Sequence, residues 1–239
     1  LGDATFEDRT PATGLGPASM PHTGFGTALF DADHDGDLDL ALVNGRVRRG
    51  ASLSDREERQ HTVPKDSSLP PIFDEYAETN LFFINEGGGS FRDASVEAGW
   101  SDEPAAVSRG LLVGDFDQDG DPDLLVTNCG SRARLFRNDL PDKGHWLAVE
   151  VLDGELGRAA LGASIQVEAG TTRLLRTATS TYGYLAAGRP RAHFGLSTSN
   201  RVDRLLVRWP NGSRVAFSNL PVDHTVRIIY PGGFESGRG

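Results

Sequence analysis

The chain has 239 residues, of which 38% are hydrophobic, and its formal net charge at pH 7 is −10. The 29 Gly and 13 Pro residues favour a turn-rich β protein over a helical one, in one large or two smaller domains. No stretch approaches the roughly 20 apolar residues of a membrane-spanning helix. The acidic balance argues against nucleic-acid binding, which needs a basic face. Cys129 is the single cysteine, so we expect a small core residue and no internal disulfide.

Two segments carry the same pattern of five aspartates at alternate positions. The first loop runs from Asp31 to Asp39, and the second, 84 positions later, runs from Asp115 to Asp123. Carboxylates at this density repel one another unless a cation lies among them, and Ca²⁺ takes roughly 6–8 oxygen ligands. We therefore predict two Ca²⁺ sites. Their metal-binding residues are Asp31, Asp33, Asp35, Asp37, Asp39, Asp115, Asp117, Asp119, Asp121 and Asp123.

Positions 1, 3, 5 and 9 of each loop are predicted to bind through side chains, and position 7 through its backbone carbonyl. Gly36 and Gly120, at position 6, allow the chain to fold back sharply. The loop is not an EF-hand, because its position 12 is Leu42 or Val126 instead of a bidentate Glu. His34 occupies a position that we do not expect to bind metal. A solvated acidic turn without metal is the competing interpretation.

Short apolar runs before and after each loop predict that the loop joins two strands. The four predicted strands are 26–30, 38–43, 110–114 and 124–127.

The repeat extends beyond the aspartate loops. A Phe-x-Asp segment at Phe6 recurs at Phe91, and a Phe-x-Asn segment ending at Asn85 recurs 53 positions later, ending at Asn138. The difference between the offsets of 84 and 53 indicates an insertion of about 31 residues, which we place at 46–76 as a polar excursion loop. The remaining unit of about 53 residues is typical of a propeller blade. We expect each blade to begin with the Phe-x-Asp strand and to close with the Phe-x-Asn strand.

After the second loop a different β pattern begins. Predicted strands cover 146–152, 164–168, 173–179, 191–196, 202–209, 214–218 and 225–230. Asn211-Gly212 predicts a hairpin with a two-residue turn. The predicted organisation is all-β: a partial β-propeller of about two blades at 1–140, a β-sandwich-like domain at 141–232, and a flexible tail at 233–239.

The repeats resemble the FG-GAP/VCBS family of extracellular propeller blades through the aspartate loops, Gly24-Phe25-Gly26 and the two Phe-containing segments. The C-terminal part resembles the ASPIC/UnbV domain at 145–147, 161–163, 181–185, 193–196, 202–205 and 208–212. This pairing is similar to the cartilage acidic protein family, which has many secreted bacterial members. The resemblance implies a secreted, cell-surface or periplasmic Ca²⁺-binding protein for adhesion or assembly. Its expected partners are extracellular proteins, glycans or copies of itself, and no enzymatic activity is implied.

Two blades are fewer than a closed propeller requires, and an open arc leaves sheet edges without partners. The chain, which begins at Leu1 without a signal peptide, is then a fragment or processed product, or a subunit covered by another chain. Packing of the C-terminal domain on the open side is a third arrangement. We favour the first two.

Two other functional classes remain open. A lectin-like C-terminal domain would stack sugars on aromatic side chains, for which core packing is the competing interpretation. The aromatic candidates are Trp146, Tyr182, Tyr184 and Trp209. A carbohydrate-active enzyme would use paired carboxylates, but these are spaced for metal, and no Gly-x-Ser-x-Gly or His-Glu-x-x-His motif occurs. We therefore predict no enzymatic activity, and we expect His145 and His193 to be structural.

Overall fold

The computed structural model describes residues 6–47, 68–100, 104–141 and 143–237. Strands account for most of the regular structure within these ranges, which confirms the all-β prediction. The helical elements are short: a 3-10 helix at Thr10–Ala12, α1 at Leu15–Ser19 and a 3-10 helix at Pro71–Tyr76. No described helix is long and apolar enough to cross a membrane. Most of the predicted insertion at 46–76 lies outside the described residues.

The first blade is an antiparallel sheet with the strand order β1-β2-β3-β4. Its strands are β1 Gly24–Phe30, β2 Asp39–Asn44, β3 Leu81–Asn85 and β4 Phe91–Asp93. We expected the Phe-x-Asp segment to begin each blade and the Phe-x-Asn segment to close it. Both expectations were wrong for the first blade, because Phe91 lies in β4, which closes the sheet, and Asn85 ends the inner strand β3. A Gly-rich turn after β3, in which Glu86 N donates to Ser90 O (2.9 Å), returns the chain beside β3. Phe6 is fully exposed and lies outside any strand.

The second blade has the order β5-β6-β7 and packs against the first. Its strands are β5 Ser108–Gly114, β6 Asp123–Asn128 and β7 Arg134–Phe136. The shared core contains a row of aromatic rings in which Trp100 lies 6.3 Å from Phe82 and 5.3 Å from Phe136, measured between ring centroids. Trp100 therefore joins the apolar faces of the two sheets. Cys129, which we expected in the core, is exposed just after β6.

The C-terminal part is a sandwich of two sheets, in which all seven predicted strands are confirmed. One sheet has the order β14-β8-β17-β18, with β9 paired to β8, and the other has the order β11-β10-β15-β16. The strands of the first are β8 His145–Asp153, β9 Arg158–Ala159, β14 Arg191–Ser197, β17 His224–Tyr230 and β18 Gly233–Gly237. Those of the second are β10 Ser164–Ala169, β11 Thr172–Thr177, β15 Arg201–Arg208 and β16 Arg214–Pro221. Leu147, Phe194, Ile165 and Leu205 are fully buried between the sheets.

Two local predictions in this domain were wrong. Residues 233–237 of the segment predicted as a flexible tail form β18, whose Phe234 lies opposite Ile228 and packs on the ring of Phe217 at 5.1 Å. The β15–β16 hairpin is confirmed, but its turn spans three residues, Pro210 to Gly212. Proline fixes φ near −65°, which suits the first central position of a type I turn, and Gly212 follows at φ +88°.

A second hairpin, which the sequence analysis missed, reaches from the sandwich to the blades. It consists of β12 Thr181–Gly183 and β13 Ala186–Ala187. It lies against β1 and β5, and the ring of Tyr184 meets that of Phe25 edge-on at 5.2 Å. A side chain at Gly183 would come within 2.9 Å of the Thr27 carbonyl oxygen, so the close approach requires glycine.

Replacing Trp100 with alanine should lower the free energy of unfolding by about 3–5 kcal/mol, because it would leave a cavity in the core between the two blades. Trp100→Phe keeps an aromatic ring in the row and should cost clearly less. Urea unfolding followed by circular dichroism measures both variants. A loss below about 1 kcal/mol for the alanine variant would contradict the role given to this residue.

Candidate metal centre

The two aspartate loops have the same backbone conformation at their tips. Position 4 has positive φ in both loops (His34 62°, Gln118 65°), and so does position 6 (Gly36 102°, Gly120 100°). A φ near +100° is strained for any residue with a side chain, so glycine is required at position 6. Each loop joins neighbouring antiparallel strands, β1 to β2 and β5 to β6, as predicted.

Three carboxylates converge in each loop, those at positions 1, 3 and 9. Asp31, Asp33 and Asp39 each offer an oxygen, and these oxygens lie within 4.8 Å of one another. The second loop brings Asp115, Asp117 and Asp123 together in the same way. An all-oxygen set of this kind suits a hard divalent cation.

Backbone N–H groups orient the carboxylate at position 9. Asp39 accepts hydrogen bonds from Ala32 N (2.8 Å) and from Asn85 N (2.9 Å), the last residue of β3. The equivalent bonds to Asp123 come from Phe116 N (2.9 Å) and Asn138 N (2.8 Å). The repeated Phe-x-Asn segment therefore has a structural role, since its asparagine holds the aspartate that ends the loop.

The carboxylates at positions 5 and 7 lie outside these clusters. Asp35 accepts from Asp37 N (2.8 Å) and Asp119 from Asp121 N (3.0 Å), so position 5 stabilises the loop turn. The side chain of Asp121 contacts Lys143 Nζ and lies 3.5 Å from His34 Nε2. This orientation fits the prediction that position 7 would bind through its backbone carbonyl. Ligand roles for Asp35, Asp37, Asp119 and Asp121 stay predictions.

The electrostatics of the clusters favour a cation. Oδ1 of Asp31 and Oδ1 of Asp115 are buried without a hydrogen-bond partner among the described residues. Burial and the charges of the neighbouring aspartates raise the pKa of Asp31 to about 7, and burial raises that of Asp39 to about 6. Burial also raises the pKa of Asp115 and Asp123. Buried carboxylates crowded by like charges need a proton or a cation, and the unbonded oxygens fit a cation.

Strand β14 of the sandwich lies against both loops. Its residues alternate between the sandwich core and the loops, as the two-residue period of a strand requires. Ala192, Phe194 and Leu196 are buried in the core. The residues that contact the loops are Arg191, His193, Gly195 and Ser197.

Backbone groups dominate the contact with the first loop. Gly195 N donates to Asp31 Oδ2 (3.0 Å), and Ser197 N donates to His34 O (2.7 Å). Gly144, just before β8, donates to Asp33 O (3.1 Å) and accepts from the ring of His34 (3.1 Å). The C-terminal domain therefore packs against the loops of the blades, while the expectation that it covers the open side of the arc stays a prediction.

Side chains dominate the contact with the second loop. Arg191 donates to Asp115 Oδ2 (3.1 Å) and also contacts the buried Glu150 (3.2 Å). The ring of His193 donates from Nε2 to Gly120 O (3.1 Å) and lies 4.8 Å from the ring of His34. Burial lowers the pKa of His193 to about 3, so the ring is neutral. His193 is thus structural, as expected.

The other candidates from the sequence analysis lie elsewhere. Trp146 and Trp209 are buried, so neither offers a face to a sugar ring. Tyr184 is half exposed but packs on Phe25, and the side chain of Tyr182 lies outside the described part of the structure. His145 pairs with Asp223 (2.8 Å) at the surface.

Comparison with known proteins defines the class. Residues 74–126 match the FG-GAP-like repeat family, and residues 154–234 match the ASPIC and UnbV family. The chain therefore belongs to the FG-GAP-repeat proteins that carry a C-terminal ASPIC and UnbV domain.

The chain is homologous to cartilage acidic protein 1 over 96% of its length. Identity is 30% to the proteins of Homo sapiens and Mus musculus and 28% to that of Xenopus tropicalis. The chain spans 39–40% of the length of these relatives. Klebsiella pneumoniae 5-hydroxyisourate hydrolase aligns with 40% of this chain and 93% of its own at 17% identity, but a TM-score of 0.25 carries no argument about fold or activity.

Replacing Gly195 with alanine should loosen the contact between β14 and the first loop. The new Cβ would overlap the Asp31 carboxylate and come within 2.5 Å of His34 Cα. We expect a loss of about 1–3 kcal/mol and faster amide exchange at Gly144 and Ser197. Gly16→Ala is the control, because its nearest neighbours would lie 3.6–3.7 Å away. Equal effects of the two substitutions would contradict the assigned contact.

Proposed function

We propose that this protein is a secreted or cell-surface calcium-binding module with a structural or adhesive role. The observation that carries the proposal is the pair of carboxylate clusters, each with a buried and unbonded Oδ1 at position 1. The FG-GAP-like match supports it, since the matched residues 74–126 include the second aspartate loop. The relatives named for cartilage support an extracellular setting.

Asp31, Asp33 and Asp39 would hold one ion, and Asp115, Asp117 and Asp123 the other, with positions 5 and 7 contributing as predicted. A bound Ca²⁺ supplies two positive charges that offset the repulsion within each cluster. The aspartate at position 1 then has two tasks. Its Oδ1 is buried without a hydrogen-bond partner among the described residues and would be available to the ion, while the Oδ2 atoms of Asp31 and Asp115 accept from Gly195 and Arg191 of the sandwich.

Because one side chain serves both the cluster and the domain contact, metal and domain packing should stabilise each other. Extracellular modules bind Ca²⁺ with a dissociation constant of roughly 10⁻⁴–10⁻³ M. At millimolar Ca²⁺ and a constant near 10⁻⁴ M, each site adds about 1.4 kcal/mol. Two such sites are a considerable share of a typical stability of about 5–15 kcal/mol.

A binding role fits the carboxylate spacing better than a catalytic one. Oxygens of the clustered aspartates lie within 4.8 Å, closer than the roughly 5–5.5 Å or 6.5–9.5 Å between the two carboxyl groups of glycosidases. We accordingly propose an extracellular protein or glycan as partner, with self-assembly as a further outcome. Turnover of a polysaccharide, abolished by a single carboxylate substitution outside the loops, would contradict the non-enzymatic proposal.

Calcium should stabilise the protein against heat. Raising free Ca²⁺ from zero, in excess EDTA, to 1 mM should increase the melting temperature by about 5–10 °C, as two sites of ordinary affinity imply. Differential scanning calorimetry measures the shift, and limited proteolysis measures the accompanying protection. Equal Mg²⁺ should do less, because that ion gives up its water reluctantly. An unchanged melting temperature and unchanged protease resistance would refute the calcium proposal.

Asparagine at position 3 should have opposite effects with and without calcium. Asp33→Asn and Asp117→Asn each remove one carboxylate from a cluster while leaving the shape of the side chain. We expect a smaller melting-temperature gain on adding Ca²⁺, together with equal or higher stability in EDTA because repulsion is relieved. Glu155→Gln, an exposed change outside both loops, is the control and should behave as the unmodified protein does. A lower melting temperature of the asparagine variants than of the unmodified protein in EDTA would contradict the assignment.

A further inference from the structure

The charges of this acidic protein are unevenly distributed along the chain. The 144 residues before His145 carry 27 acidic and 13 basic side chains, a formal charge of −14. The 95 residues from His145 onward carry 7 acidic residues and 11 arginines, a formal charge of +4. The sandwich is therefore a basic domain attached to acidic blades.

Much of this positive charge lies on one surface, the outward side of the sheet β11-β10-β15-β16. The register places Leu205, Val207 and Ile165 on the inner side, where they are buried in the core. Residues of the opposite parity point outward. We call this outward surface the arginine face; its residues are Arg173, Leu175, Thr177, Ser164, Gln166, Glu168, Arg204, Leu206, Arg208, Arg214, Ala216 and Ser218.

The arginines of this face have little acidic compensation. Glu168 is its one acidic residue; it lies opposite both Arg173 and Arg204 in the register, and its carboxylate contacts Arg173 (3.1 Å) and Gln166 (2.7 Å). Arg208 lies directly opposite Arg214 across the β15–β16 pair. Like charges at facing positions destabilise a sheet, so this pair is costly unless an anion lies between them.

Arg204, Arg208 and Arg214 are exposed, and none of them forms an ion pair within the described residues. Neighbouring strands are about 4.8 Å apart, and Arg204 and Arg208 are separated by four residues, about 13 Å along the strand. The positive groups are thus spread over a flat surface instead of converging on one pocket. This distribution fits a polymer with repeated anionic groups better than a single phosphate.

We propose that the arginine face binds an acidic polysaccharide through its sulfate or carboxylate groups. Guanidinium forks match both groups bidentately. The row between the arginines contains Leu175, Leu206 and Ala216, on which the C–H faces of sugar rings can rest, and the polar Gln166. Leu175 is 60% exposed.

Two other macromolecular classes fit this face less well. Single-stranded nucleic acids stack their bases on aromatic side chains, and the arginine face has none. Protein interfaces concentrate aromatic anchors near their centre, and the arginine face has no aromatic residue. The choice of a polysaccharide also rests on the proposed extracellular setting, whereas the binding test below does not depend on calcium.

The test compares two triple variants that lose the same net charge. Arg204→Gln/Arg208→Gln/Arg214→Gln removes the unpaired arginines of the face, and Arg9→Gln/Arg132→Gln/Arg158→Gln removes three exposed arginines that lie outside both the face and the aspartate clusters. Binding of labelled heparin and of polygalacturonate is measured by fluorescence anisotropy at two salt concentrations, in 1 mM CaCl₂ and again in EDTA. Neutral dextran, double-stranded DNA and polyglutamate are the comparison ligands.

We expect the face variant to bind the acidic polysaccharides about tenfold more weakly and with a shallower salt dependence, since three ordinary exposed ion pairs amount to about that factor. The control variant should retain its affinity, and both should keep the unmodified melting temperature within a few degrees. The proposal is overturned by equal losses in both variants, by no binding to either polysaccharide, or by equally tight binding of DNA or polyglutamate. Polysaccharide binding that persists in EDTA would support the arginine-face proposal even if the calcium proposal failed.

Discussion

Repulsion among buried carboxylates is the constraint on which the rest of the structure depends. Three aspartates meet within 4.8 Å in each loop, at the place where the two blades and the sandwich come together. Backbone N–H groups and Arg191 offset part of this negative charge, but one oxygen of Asp31 and one of Asp115 are buried without a partner in the described part of the chain. The loops are therefore the region where binding of a cation would raise the free energy of unfolding most.

The contact between domains follows from how each loop satisfies its polar groups. The tips present backbone carbonyls, of His34 in one loop and Gly120 in the other, that accept hydrogen bonds from the sandwich. Strand β14 supplies donors at alternate positions, from Ser197 N and the ring of His193, and keeps its other face in the sandwich core. A single edge strand thus belongs to two structural units, which makes the orientation of the sandwich depend on the loops. The arginine face lies on the other sheet, whose outward side stays exposed in this arrangement.

Local patterns predicted most of the strands and the loop conformation, because these depend on neighbours in sequence. Glycine at position 6, alternating aspartates and flanking apolar runs were sufficient for the β1–β2 and β5–β6 hairpins. The pattern was misleading where the partner of a strand mattered. Phe91 repeats Phe6 in sequence, yet it closes the first blade because the Gly-rich turn after Asn85 favours the nearer strand. Residues 233–237 have few apolar side chains, so their pairing with β17 was not apparent.

The sequence by itself determined the class of fold, the two acidic loops and the division into acidic and basic halves. These properties follow from composition and short-range spacing, and they do not depend on which strands pair with one another. Only the tertiary structure decided which aspartates converge, that β14 contacts both loops, and that Arg208 faces Arg214 across a sheet. Those relations join residues up to 164 positions apart. They depend on the register of strands and the packing of sheets, and local residue patterns do not specify either.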